Sequence, residues 1–128
     1  TLGICLGMQL FSLKSEEGSG TGLGFFQADT IKFRFDMDSN LPIPHMGWNT
    51  IKIHKESEIF NGIPDRARFY FVHSFHLVCK DTSDILATTH YGYDYPSVIQ
   101  KGTITGVQFH PEKSHKQGIQ LLKNFARS

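Results

Sequence analysis

The chain has 128 residues, the size of one domain, and its 39% hydrophobic and 20% charged content is that of an ordinary globular protein. Thirteen basic against twelve acidic residues leave a formal charge of +1, which offers no electrostatic footprint for nucleic acid and no pull toward an anionic membrane. No apolar run approaches the ~18–20 residues needed to cross a bilayer, and two cysteines, Cys5 and Cys79, make no secreted disulfide framework, so a reducing cytoplasm is the expected location.

The opening Thr1-Leu2-Gly3-Ile4-Cys5-Leu6-Gly7 reads as an apolar strand ending in a sharp turn, with a helix following at Met8-Gln9-Leu10-Phe11. A strand–turn–helix unit belongs in a parallel sheet whose neighbouring strands come from other βα units. None lies upstream, so residues 1–128 are expected to form a single partial α/β domain, the C-terminal part of a longer one whose N-terminal βα units are missing. Residues 18–24 are rich in glycine but lack the Lys-Ser/Thr ending of a phosphate loop and do not lead a strand into a helix, so a plain loop is expected.

Residues 25–35 and 48–54 alternate partly between apolar and polar, as half-buried antiparallel strands do. Between them, Pro42 and Pro44 exclude a regular ladder over 41–47. Phe69-Tyr70-Phe71-Val72 is a continuous aromatic and β-branched run, expected as a strand buried on both faces. Residues 85–89 and 97–100 are further short strands, Lys101-Gly102 is a two-residue hairpin turn, and 103–109 returns. Over 117–126, Ile119, Leu122 and Phe125 mark one face of a closing amphipathic helix.

The chemistry lies at the two ends. Gly3 and Gly7 flank Cys5 at two positions on either side, leaving room for a backbone turn too tight for side chains, as at a nucleophile elbow. Such a turn presents the sulfur at the carboxyl end of a strand, where open α/β sheets bind ligands, and at a helix start, which favours the reactive thiolate. The N–H of Leu6 would then supply half of an oxyanion hole. Gly106-Val107-Gln108-Phe109-His110-Pro111-Glu112 ends a second apolar strand. Positions two apart point the same way in extended backbone, so Glu112 reaches the His110 ring and fixes its tautomer for proton exchange with a nucleophile. A small core cysteine and a surface histidine are the plain alternatives.

Gly3-Ile4-Cys5-Leu6-Gly7-Met8-Gln9 together with Gly106-Val107-Gln108-Phe109-His110-Pro111-Glu112 resembles the signature pair of the class I (triad) glutamine amidotransferases. Within that class, Pro44-His45-Met46-Gly47-Trp48-Asn49, Phe69-Tyr70-Phe71-Val72-His73-Ser74-Phe75 and Pro111-Glu112-Lys113-Ser114 are similar to the glutaminase subunit of imidazole glycerol phosphate synthase. The resemblance implies the C-terminal part of a flavodoxin-like α/β domain in which antiparallel strands follow the elbow helix. It implies Cys5 as nucleophile, His110 as acid/base, Glu112 as its orienter, and Leu6, Gln9, Ser74 and Phe75 as contacts to L-glutamine. Ammonia would pass to a synthase (cyclase) subunit, a phosphate-binding β/α barrel, and no cofactor is implied.

Residues 87–92 and 97–102 also resemble paralogues that supply ammonia for amination of surface-polysaccharide sugars. Trp48 sits with Met46 in a Pro/Gly-bounded stretch that suits either core or an interface anchor, and the resemblance tips His45, Met46, Trp48 and Asn49 toward a docking surface. Seven histidines and two cysteines show neither C-x-x-C nor H-x-x-x-H spacing, so no metal site is expected. A non-catalytic binding module that keeps the docking loop, and a γ-glutamyl hydrolase that needs no partner, remain as competing readings.

Overall fold

The computed structural model describes residues 1–16, 21–37 and 39–127, so positions 18–20 of the expected loop fall outside the described residues. The apolar opening run forms β1 (Leu2–Ile4), Cys5 turns the chain, and a single helical turn, α1 (Leu6–Gln9), follows. That turn begins two residues earlier than the sequence pattern suggests, because the Cys5 carbonyl already accepts the Gln9 N–H at 3.2 Å. The chain continues through β2 (Lys14–Ser15), β3 (Ala28–Lys32), β4 (His45–Thr50), β5 (Lys52–Ile53), β6 (Arg68–His73), β7 (Phe75–Cys79), β8 (Ile85–His90), β9 (Asp94–Lys101) and β10 (Ile104–Val107). A 3-10 turn at Pro111–Lys113 leads into the closing helix α2 (His115–Arg127).

The strands make a five-stranded sheet in the order β1-β10-β9-β8-β5, a three-stranded sheet β2-β3-β7 and a two-stranded sheet β4-β6. Among the described residues, only the β1·β10 and short β2·β3 pairs are parallel; the rest are antiparallel. The parallel pair is the one that matters for the site, since it lays the end of β1 beside the end of β10, with Gly3 opposite Gly106 and Ile4 opposite Val107. Both glycines are needed there. A Cβ on Gly3 would lie 2.5 Å from Phe11 Cε2, and one on Gly106 would lie 2.8 Å from Met8 Cγ. Bare backbone at these two positions lets the segment after Cys5 fold flat onto the sheet. Gly7 differs from expectation: a Cβ there meets nothing within 4 Å among the described residues, so packing does not demand glycine.

The main core gathers Phe69, Phe71, Tyr95, Val98, Phe109 and Leu121, with Phe69 stacked on Phe109 at 4.0 Å between centroids. A second cluster joins Met8, Phe11, Phe26, Leu77 and Ile99 under α1. Four local expectations change. Strand β4 begins at His45, immediately after Pro44, because the prolines remove donors only at their own positions and the ladder to β6 starts one residue on. Strand β6 is buried on one face only: Phe69, Phe71 and His73 point inward while Tyr70 and Val72 are half-buried. The hairpin loop is Gly102-Thr103 rather than Lys101-Gly102, since Lys101 still pairs with Ile104, and Gly102 supplies φ +60° at the first loop position. Helix α2 buries Gly118, Leu121 and Asn124, and Ile119 faces outward. A polar Asn124 on the inner stripe hid that face from a hydrophobic count, and its Nδ2 donates to the carbonyls of Ile59 at 2.9 Å and Asn61 at 2.7 Å.

Candidate active site

Cys5 adopts φ 53°, ψ −106°, a conformation costly for any residue with a Cβ. It persists because both sides are held. Its N–H donates to the Val107 carbonyl at 2.8 Å, extending the β1·β10 ladder by one rung, and its carbonyl starts α1. The turn throws the sulfur toward β6, where Sγ lies 3.7 Å from the Val72 carbonyl. With one helical turn, any electrostatic help to a thiolate comes from the first N–H groups, those of Leu6 and Gly7, and not from a long macrodipole.

Three residues past β10, the His110 N–H donates to the Tyr70 carbonyl at 2.9 Å. Tyr70 and Val72 occupy the same edge of β6, about 7 Å apart along the strand, so Cys5 and His110 stand on adjacent rungs of one edge. The Nδ1 of the His110 ring lies 3.0 Å from Glu112 Oε1. This pairing arises differently from the sequence argument: Pro111–Lys113 is a 3-10 turn, not extended backbone, and it curls Glu112 back beneath the ring. Ser114 pins that turn, its Oγ donating to the His110 carbonyl at 2.6 Å and accepting the Tyr70 N–H at 2.9 Å.

Gln9 is 5% exposed and donates from Nε2 to the Phe75 carbonyl at 3.0 Å and to Gln108 Oε1 at 3.2 Å. Ser74 alone forms the bend between β6 and β7, Phe75 opens β7, and the Ser74 carbonyl accepts the Phe33 N–H at 3.0 Å. Among the described residues, no three His, Cys, Asp or Glu side chains converge on a metal position, and no helix is long and apolar enough to span a membrane. A cavity of about 630 Å³ is lined by Thr1, Gln100, Thr103 and Phe125 beside the β9–β10 hairpin loop, and Cys5 is not among its lining residues.

The family model described as glutamine amidotransferase class-I matches residues 1–128. The chain belongs to that family. Among curated relatives, the imidazole glycerol phosphate synthase subunit HisH 2 of Methanococcus maripaludis is 48% identical over 98% of this chain and 61% of that protein. Its namesake in Pseudomonas aeruginosa is 46% identical over 97% of this chain and 60% of that protein. The chain thus spans about three-fifths of the length of the curated relatives it matches. A glutamine amidotransferase from Thermotoga maritima shares the fold, with a TM-score of 0.62, 19% identity, and coverage of 98% of this chain and 46% of that one.

In this amidotransferase domain the residues expected at a docking surface part company. His45 is only 3% exposed and faces inward, so it is no surface contact, whereas Met46 and Trp48 are 63% and 40% exposed. The alternation of β4 decides this, sending His45 to the face opposite Met46. Trp48 stacks on His115 with 5.4 Å between centroids and 9° between planes. Asn49 shares the His45 face: its Nδ2 donates to the His90 carbonyl at 2.9 Å and faces His45 Nε2 at 3.2 Å.

Sequence reasoning missed a buried polar chain that begins there. Because Asn49 Nδ2 only donates, His45 Nε2 accepts and the ring proton sits on Nδ1. That nitrogen is 3.1 Å from His73 Nε2 and 3.2 Å from the Tyr95 hydroxyl, which is itself 3.1 Å from His73 Nε2. His73 Nδ1 in turn donates to the Phe75 carbonyl at 2.8 Å, so one protonation pattern satisfies both neutral rings. Burial pushes the His45 ring down to about 4 and the His73 ring down to about 3, and it raises the Tyr95 hydroxyl well above its ordinary value.

A stability prediction follows from the two rings. Their folded values lie below the unfolded value near 6.5, so their contribution is full above that pH and is lost as the pH falls toward the folded values. Between pH 7 and 5.5 the free energy of unfolding should drop by about 2–3 kcal/mol, from roughly 1.4 kcal/mol per pH unit per ring. Urea titrations at the two pH values measure this, and a stability flat across that window would remove the neutral-pair assignment.

Proposed function

We propose that this chain carries the glutaminase centre of a class I amidotransferase, with Cys5, His110 and Glu112 as its triad. His110 takes the Cys5 thiol proton, the Sγ thiolate attacks the side-chain amide carbon of L-glutamine, and the electron pair displaced onto oxygen is met by the Leu6 N–H. His110 gives a proton to the departing nitrogen, the C–N bond breaks, and ammonia leaves a γ-glutamyl thioester. Water then gives its proton to His110 and adds to the thioester carbon; the C–S bond breaks with its electrons on sulfur, releasing glutamate. Glu112 holds the His110 tautomer throughout. Gln9, Ser74 and Phe75 would seat the amino-acid end of the substrate.

The observation that carries this reading is the juxtaposition of a strained strand-end cysteine with a carboxylate-bound histidine on one edge of β6. The names of the relatives support an acceptor enzyme, imidazole glycerol phosphate synthase in histidine biosynthesis. We take the protein to act as a heterodimer with that synthase's β/α-barrel subunit, docking through Met46, Trp48 and the exposed part of Asn49.

A second reading, delivery of ammonia to a sugar-aminating enzyme, rests on the resemblance of residues 87–92 and 97–102 noted in the sequence. The chemistry is the same in both readings.

Treating the intact protein with 6-diazo-5-oxo-L-norleucine, an electrophilic glutamine analogue, tests the shared chemistry. One equivalent should attach at Cys5 and none at Cys79, whose thiol burial pushes up to about 12. A folded protein left unlabelled at Cys5 would overturn the reading.

A further inference from the structure

Gln108 is fully buried, its relative exposure being 0%, yet the reaction outlined above gives it nothing to do. A buried glutamine survives only if its amide is bonded, and here the orientation of that amide is determined by its neighbours. The Phe75 carbonyl can only accept, so the Gln9 atom lying 3.0 Å from it is the nitrogen. The same nitrogen faces Gln108 at 3.2 Å, so the Gln108 atom opposite it must be the acceptor, Oε1. Turning the Gln108 amide over would set two donors against each other. Its Nε2 is therefore left pointing at Cys5 Sγ, 3.6 Å away, within reach of a sulfur acceptor.

The direction of this relay matters because the sulfur's other described contact works the opposite way. As a thiol, Cys5 donates to the Val72 carbonyl at 3.7 Å. Once the proton leaves, that carbonyl faces a negative sulfur and repels it. The Gln108 N–H then becomes the favourable neighbour, in a dry setting where a hydrogen bond to a charged group is strongest.

We infer that Gln108 is a further catalytic residue, an N–H donor that stabilises the Cys5 thiolate, aimed by the relay His73–Phe75 carbonyl–Gln9. It acts wherever sulfur carries charge: in the resting nucleophile, and when the C–S bond breaks and the electron pair returns to sulfur in the second half-reaction. This inference rests on Cys5 being the nucleophile.

The test is the pH dependence of Cys5 alkylation by iodoacetamide in the intact protein, with the site assigned by peptide mass so that Cys79 is read separately. Gln108→Met keeps the length and bulk of the side chain but removes the donor. The midpoint of Cys5 reactivity should rise by about one pH unit, a tenfold lower thiolate fraction below the midpoint. A midpoint equal to that of the wild type overturns the inference.

Should Gln108→Met fail to fold, the wild-type protein suffices. The side-chain amide nitrogen resonance of Gln108 should move through the pH at which Cys5 ionises and stay fixed in Cys5→Ala; a resonance that ignores the titration also overturns it. The two failures are distinguishable. If wild-type Cys5 ignores the glutamine analogue, the glutaminase reading falls, whereas a labelled Cys5 with an unshifted midpoint removes only the role of Gln108.

Discussion

Cys5→Ala is expected to lower glutamine-dependent product formation by about 10⁴-fold or more in complex with the synthase partner, while ammonia supplied in solution is used as before. On the proposed reading the two outcomes separate, because the sulfur would be needed only to release ammonia from the amide and the acceptor chemistry would belong to the partner. Equal loss of both activities would show that Cys5 supports the structure and not the reaction. The conformation of the elbow adds a second readout. Alanine keeps the Cβ and so keeps the strain of φ 53°, ψ −106°, whereas glycine adopts that conformation freely. Cys5→Gly should therefore be more stable than Cys5→Ala by about 1 kcal/mol, at the lower end of the cost of such a backbone state. A cysteine retained at a position where glycine is more stable is a residue kept for chemistry.

The elbow, the histidine–glutamate pair and the aromatic strand were legible because each is a short-range pattern: two glycines flanking a cysteine, an i, i+2 pair at a strand end, an unbroken Phe-Tyr-Phe-Val run. The parts that were not legible depend on pairing partners far away in the chain. Nothing near His45 in the sequence says that it meets His73, 28 positions on, and Tyr95, 50 positions on. A histidine after a proline reads as surface until the β4·β6 register turns it inward. Gln108 was within reach of pattern reading, lying two positions before His110 in the short segment just beyond β10. Its amide does not titrate, so residue type alone carries no sign of a role beside a thiol. The correct His110–Glu112 pair came from an incorrect local geometry, since a 3-10 turn and an extended segment both bring positions i and i+2 to the same histidine.

That 3-10 turn carries the other large expected effect. Gly118→Ala should destabilise the protein by about 3 kcal/mol, the upper range for forcing extra atoms into a filled site. Helix propensity alone argues the reverse, because alanine in a helix interior is favoured over glycine by about 1 kcal/mol. Steric conflict decides the sign. A Cβ on Gly118 would lie 1.9 Å from the Pro111 carbonyl oxygen and 2.9 Å from Ser114 Cβ, and neither is the end of a flexible side chain. Either α2 lifts from the sheet, disturbing buried Leu121 and the Asn124 bonds to Ile59 and Asn61, or the Pro111–Lys113 turn is pushed away. The second route moves Glu112 off the His110 ring and loosens the Ser114 bridge to Tyr70 that sets the rung beside Cys5. Displacement of about 1 Å at such a site costs on the order of 10²-fold in rate. Denaturant unfolding and glutamine turnover of Gly118→Ala, measured together, should both fall. A variant as stable as the wild type would show that α2 and the turn are not in contact as described.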